Sequence, residues 1–164
     1  MSESFKPFEL GVENIARRFP DLPKREVLLT RLYYHVFFKL NANANRALKA
    51  YGLNNTRWIA LILIYSSPDN AINPSELSEF LASSRTTITR LADELVKMNL
   101  VSRRPCEDDR RRCWLSLTDT GLALVEKILP AQQERLQKRW SKFTEEEMQR
   151  FEELLRKLLQ ELGG

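Results

Sequence analysis

Asn73-Pro74-Ser75-Glu76-Leu77-Ser78-Glu79-Phe80-Leu81-Ala82-Ser83-Ser84-Arg85-Thr86-Thr87-Ile88-Thr89-Arg90 is the stretch that decides the fold. Asparagine followed by proline, with glutamate three residues after the asparagine, starts a helix. The asparagine side chain can accept an otherwise unpaired backbone N–H, and proline suits the first turn. The helix is short, with Leu77, Phe80 and Leu81 expected inward. Ala82-Ser83-Ser84 is a tight connection in which either serine can cap the next helix, expected from Arg85 to about Asn99. At 100° per residue, Ile88, Leu91, Ala92 and Leu95 share one side, while Thr86, Thr89, Arg90, Asp93 and Lys97 take the other, flanked by Arg85 and Thr87. Two short helices joined by a few residues make a helix-turn-helix.

The outward face of the second helix carries a particular chemistry. Ser83, Ser84, Arg85, Thr86, Thr87, Thr89 and Arg90 offer hydroxyls and guanidinium groups, with no carboxylate until Asp93. Arginine can bridge guanine O6 and N7 in a major groove, and threonine can donate to bases or touch a thymine methyl. Serines at a helix N-terminus suit phosphates. A merely solvated face is the plain alternative, but such faces usually mix in glutamate and lysine. After this helix come two strand-like runs, Leu100 to Arg104 and Arg112 to Leu117. They enclose the charged turn Cys106-Glu107-Asp108-Asp109-Arg110-Arg111. A hairpin with an arginine-rich tip directly after such a helix is the arrangement of a winged helix-turn-helix. Arginine is attracted to the negative potential of a narrow minor groove. Residues 85–112 hold eight basic and five acidic side chains, so this segment carries +3 of the chain's net +4. The acids read as braces that fix arginines by bidentate pairing.

Outward from this centre the chain reads as helices. Phe8, Val12, Ile15, Ala16 and Phe19 recur at helical spacing, with Arg17 and Arg18 near the end of that helix. Asp21-Leu22-Pro23 reads as a restart capped by aspartate. A long helix from Glu26 to about Asn45 is apolar around most of its circumference (Val27, Leu28, Leu29, Leu32, Tyr33, Tyr34, Val36, Phe37, Phe38, Leu40). A surface helix shows one apolar stripe, so this one asks for a second subunit. Gly52 suits a left-handed position past a helix. One of Asn54, Asn55 or Thr56 caps the next helix, whose body is Trp58 to Tyr65. Ser66 to Asn70 is a loop. A helix from Gly121 to about Trp140 contains Pro130, an expected kink. Thr144 to Glu147 forms a capping box. It opens a last helix with Met148, Phe151, Leu154, Leu155, Leu158, Leu159 and Leu162 on a broad apolar face. The expected fold is mostly α with a small β-hairpin wing. Residues 1–53 form the N-terminal part of a dimerisation region, 54–121 the winged helix-turn-helix, and 122–164 the C-terminal dimerisation helices.

Composition bounds the function. In 164 residues, 43% are hydrophobic and 29% charged, enough for a packed core and too structured for wholesale disorder. The longest apolar run, Trp58 to Tyr65, falls far short of the roughly 18–20 residues of a membrane span. The N-terminus has no apolar signal region. Two cysteines fit a reducing compartment better than a disulfide framework, so a cytoplasmic location is expected. No C-x-x-C, H-E-x-x-H, phosphate loop or nucleophile elbow is present, so neither an enzyme nor a metal or cofactor site is expected. A winged helix serving only protein contacts would not need three consecutive arginines in its wing.

Asp109-Arg110-Arg111, five residues, then Leu117-Thr118 with Gly121 after, resembles the D-x-R-x5-L-T wing signature of the MarR family, complete in spacing. Two helices before the helix-turn-helix and two long ones after the wing also resemble that family, over nearly the whole chain from Phe5. Leu29-Thr30-Arg31-Leu32, Leu48-Lys49-Ala50, Pro74 to Ser78, Ser83 to Thr86, Thr89-Arg90 and Ala92 to Leu95 bring it nearest the family's multidrug-efflux repressors. The resemblance implies a homodimer binding double-stranded DNA at a pseudo-palindromic operator. Ser84 to Arg90 would read the major groove, supported by Ser83 and Arg103. Arg110 and Arg111 would serve the wing, with Arg111 in the minor groove and Asp109 orienting it. It further implies a repressor released by a small aromatic, phenolic or drug-like effector. Arg31, Tyr34, His35 and Trp58 supply a cation, a hydroxyl and aromatic walls for such a ligand. Each also has a plain structural reading, as core aromatic or paired cation. The alternatives are a regulator of aromatic catabolism or virulence, or a redox sensor using Cys106 and Cys113, which flank the wing turn. Family redox thiols sit nearer the N-terminus, where this chain has none.

Overall fold

The computed structural model describes residues 3–105 and 113–163. Two compact units divide the chain, residues 1–63 and 64–164, and the division falls within one helix. In the first unit, α1 spans Lys6–Arg18 and buries Val12 and Ala16, while α2 spans Lys24–Leu48. The expected aspartate cap on α2 is a correction. The cap position belongs to Pro23, whose ring carries no hydrogen-bond acceptor, so no side chain caps the helix there. A short 3₁₀ turn follows, and Gly52 closes it at φ 69°. Then α3 runs Asn55–Ser66, with the Asn54 side chain accepting from the Arg57 amide at 2.8 Å. Asn55 ties this start back to α2. Its amide donates to Asn45 and its side chain donates to Asn41.

The second unit holds the helix-turn-helix and an antiparallel sheet. Strand β1 is only Ala71–Ile72 and precedes α4, Pro74–Phe80. Asn73 caps α4 by accepting from the Ser75 amide at 2.8 Å. Helix α5 runs Arg85–Lys97, then β2 Val101–Pro105 and β3 Cys113–Leu117. Among the described residues the strand order is β1-β3-β2. The expected hairpin is present, its first strand shifted by one residue from Leu100–Arg104 to Val101–Pro105. The sequence offers no local signal for β1, since two residues become a strand only by pairing with the free edge of β3.

Phe80 is a second correction: it is 67% exposed, not inward. The seven-residue helix buries the side holding Leu77, and Phe80 falls 60° to the far edge of that side, away from Leu81. Helix α5 buries Ile88, Leu91, Ala92 and Leu95, the stripe expected from its spacing. Thr118 ties the unit together. Its hydroxyl donates to the carbonyl of Asn99 and accepts from the amide of Gly121, capping α6, Asp119–Trp140. That helix is one unbroken element through the exposed Pro130. Finally α7, Glu145–Glu161, opens with the capping box of Thr144 and Glu147 and buries none of its residues within the chain.

Candidate nucleic-acid interface

The turn into α5 is held by serines. Ser78 donates to the carbonyl of Ser83, and Ser83 in turn donates to that of Leu81. Ser84 caps α5, its oxygen accepting from the Thr87 amide at 3.2 Å and lying 2.9 Å from the Thr87 hydroxyl. Thr89 donates to the carbonyl of Arg85. Ser84, Arg85, Thr86, Thr87, Thr89 and Arg90 are all exposed, and Ser83 is half-buried. Several of the hydroxyls are therefore partly engaged in building the helix. Arg85, Thr86 and Arg90 present polar groups with no side-chain hydrogen bond or ion pair among the described residues.

Sheet register decides where the wing's basic residues go. Arg103 pairs with Leu115 and Arg104 with Trp114, so successive side chains fall on opposite faces. Arg103 shares the face of Val101, which is buried in the core. From there its Nη2 reaches Asp93 Oδ1 of α5 at 2.7 Å. Asp109, Arg110 and Arg111, like Cys106, lie outside the described residues. Cys113 is free, half-buried, and opposite Pro105.

Between α5 and the sheet lies a groove of about 440 Å³. Ile88, Ala92 and Leu115 line its floor, and Arg85, Thr89 and Arg103 bring two cations and a hydroxyl. Sequence reasoning assigned the polar three to DNA and missed the groove, which exists only once the strand register sets Arg103 beside α5. The other predicted ligand residues are placed separately. Arg31 and Tyr34 are exposed on α2, and Tyr34 stacks on Phe38 at 6.4 Å. His35 packs against Phe5 and Phe8 at 5.7 and 5.3 Å, its Nε2 3.2 Å from the Ser4 hydroxyl. Trp58 is buried in α3, and no ring contact joins it to the other three among the described residues.

A helix-turn-helix followed by a strand pair whose basic residues border the second helix is a nucleic-acid-binding arrangement, and comparison with known proteins gives it a family. The MarR family model matches residues 53–113. The transcriptional repressor MprA of Escherichia coli K12 is 43% identical over 162 residues, which is 99% of this chain and 92% of that protein. The chain belongs to the MarR family. Among solved structures, a cysteine-to-serine mutant of E. coli MarR complexed with operator DNA is similar at a TM-score of 0.75 and 28% identity. That match covers 85% of this chain and 99% of that one. AbsC, a MarR family regulator from Streptomyces coelicolor, matches in fold at a TM-score of 0.80 and 22% identity, covering 87% and 97%. The winged-helix, DNA-binding regulator fold expected from the sequence is thereby shown, and the MarR-family relatives are regulators rather than enzymes.

Proposed function

We propose that this MarR-family chain is a transcriptional repressor that binds double-stranded DNA as a homodimer at a pseudo-palindromic operator, with α5 of each copy in a major groove. The carrying observation is the exposed, acid-free polar face formed by Ser84, Arg85, Thr86, Thr87, Thr89 and Arg90, opposite the buried apolar stripe that begins at Ile88. Arg85, Thr86 and Arg90 are the base-reading groups, and the helix N-terminus with Ser84 meets phosphate. Arg110 and Arg111 serve the minor groove, with Asp109 orienting Arg111.

Dimerisation is supported by apolar faces that a single chain leaves open. On α2, Leu29, Tyr33, Phe37 and Phe38 are each more than half exposed. Residues Leu136, Trp140, Phe151, Leu155 and Leu159 line an apolar groove of about 700 Å³ between α6 and α7. Contiguous apolar surface of this extent marks an interaction site. Residues 1–53 and 122–164 thus build the dimer around the winged helix of residues 54–121. Two-fold symmetry places half-sites about one helical turn, roughly 10 bp, apart.

The effector is a small anionic aromatic or phenolic compound, and the regulated genes are those of drug efflux. The Arg85 cation, the Thr89 hydroxyl and an apolar floor, with Arg103 already paired to Asp93 at its edge, make the α5–sheet groove its best-supported seat. Arg31, Tyr34, His35 and Trp58 form the other. An effector shifts the operator equilibrium only by its differential affinity for the two states. No described helix is long and apolar enough to cross a membrane, and the protein acts in the cytoplasm.

Selection from a randomised duplex pool, with the mass of the complex measured by sedimentation, tests the reading. Enrichment of an inverted repeat by a dimer supports it. A monomer, or no enrichment, overturns it. Release by salicylate-like acids that is lost in Thr89→Val favours the groove, and release lost in Arg31→Gln favours the α2 seat.

A further inference from the structure

Asp93 is the first carboxylate along α5, on a face that up to that point presents only hydroxyls and cations to a polyanion. Its partner comes from another element. The two-residue alternation of β2 puts Arg103 on the face of the sheet that meets α5, and the guanidinium reaches the carboxylate at 2.7 Å. Both side chains are a little under half exposed, 46% for Asp93 and 43% for Arg103. Exposed pairs of this kind contribute little to stability, so what the pair supplies is geometry. A bare carboxylate here would repel phosphate, and an unpaired Arg103 would be free to swing.

We propose that Asp93 is a positioning residue for DNA binding: through Arg103 it sets the angle between the recognition helix and the root of the wing. Arg103 then acts within this pair rather than by neutralising a phosphate, a different role from the DNA contact expected of it. Arg103 stands two residues before the end of β2 at Pro105, so a shift at Arg103 moves the strand that leads into the wing. The inference rests on the DNA-binding reading above.

The test uses the full chain and a duplex that the wild-type protein has enriched from a random pool, with affinity measured across a series of KCl concentrations. Asp93→Asn and Arg103→Gln are each expected to weaken binding about three- to tenfold, and the double variant no more than the worse single one, since both remove the same coupling. The slope of log affinity against log salt stays at its wild-type value in all three, because no phosphate contact is lost. Arg103→Lys and Asp93→Glu keep the charges paired and recover most of the affinity, which covers any loss of folding in the neutral variants. Two results overturn the proposal: a slope reduced by about 0.9 in Arg103→Gln while Asp93→Asn binds as tightly as wild type or tighter, or single effects that simply add. Failure of the wild-type protein to enrich any duplex overturns the DNA-binding reading itself, before any variant is made.

Discussion

A β-carbon built on Gly121 would lie 2.0 Å from the carbonyl oxygen of Leu100. The first turn of α6 therefore packs backbone to backbone on the residue that enters β2. The same oxygen accepts from the amide of Thr118 at 3.1 Å, so the contact cannot open without losing that bond. Gly121→Ala must push α6 away from the α5–β2 corner. The expected cost is about 3 kcal/mol, at the upper end of overpacking substitutions. A urea unfolding series measures it, and a loss under about 1 kcal/mol, the lower end of that range, would mean that the two elements slide apart freely.

Ala82, in the turn of the helix-turn-helix, has φ 44°. A β-carbon in the left-handed region costs about 1–2 kcal/mol, and the exposed methyl group gains little in return. Ala82→Gly relieves that strain but adds freedom to the unfolded chain. A net stabilisation of about 0.5–1 kcal/mol is expected, read as a higher midpoint in the same denaturant series. An unchanged or lower midpoint would show that the turn is not strained.

Ser116 stands in the middle strand between Ala71 and Ser102, 1% exposed, and its hydroxyl finds no hydrogen-bond partner among the described residues. An unpaired buried hydroxyl costs about 1–3 kcal/mol. Ser116→Ala removes it and should stabilise the protein by about 1 kcal/mol. Destabilisation, measured by thermal melting, would reveal a partner for the hydroxyl.

What could be read in the sequence was local. Asn73, Ser84 and Thr144 cap helices with their own side chains, and Gly52 takes a left-handed turn, so each announces its element within a few residues. The buried stripe of α5 was equally legible, because its thirteen residues average over the helical period. Phe80 was not, since a seven-residue helix leaves the burial of each edge to its neighbours. Nor was β1, which depends on β3 some forty residues away. The Asp93–Arg103 pair lies between these cases. Counting alternate residues from the buried Val101 puts Arg103 on the inner face, but only the strand register shows that α5 waits there with a carboxylate.

Thr144 makes α7 sensitive to acid. Its hydroxyl accepts from the Glu147 amide, and its own amide donates to the Glu147 carboxylate at 2.9 Å. Glu146 is held below its ordinary value by its own backbone amide first and by the Thr144 hydroxyl second. A carboxyl lowered on folding stabilises the folded state above its unfolded value, and the contribution fades as pH falls through the lowered one. Amide exchange in the first turn of α7 should therefore quicken as pH drops below about 4.3, after correction for intrinsic rates. Glu146→Gln should flatten part of that response. Thr144→Ala should cost about 1 kcal/mol at neutral pH. An acid response identical in wild type and Glu146→Gln would assign it elsewhere.

Arg90 separates base reading from phosphate attraction. It is exposed on α5, one turn past the first residues of the helix, with no ion pair among the described residues, so its fork is free to meet a base edge. A bidentate contact to guanine discriminates by about 1–3 kcal/mol, whereas a phosphate contact weakens all duplexes alike and lowers the salt slope by about one. Arg90→Ala should therefore weaken binding to the selected duplex roughly 10- to 100-fold while leaving random duplex within a few-fold. Arg111→Ala, by contrast, should weaken both and lower the slope. The ratio of the two affinities at fixed salt is the quantity to measure. If Arg90→Ala loses equally on selected and random DNA, Arg90 is a phosphate contact, and base reading falls to Arg85 and Thr86 alone.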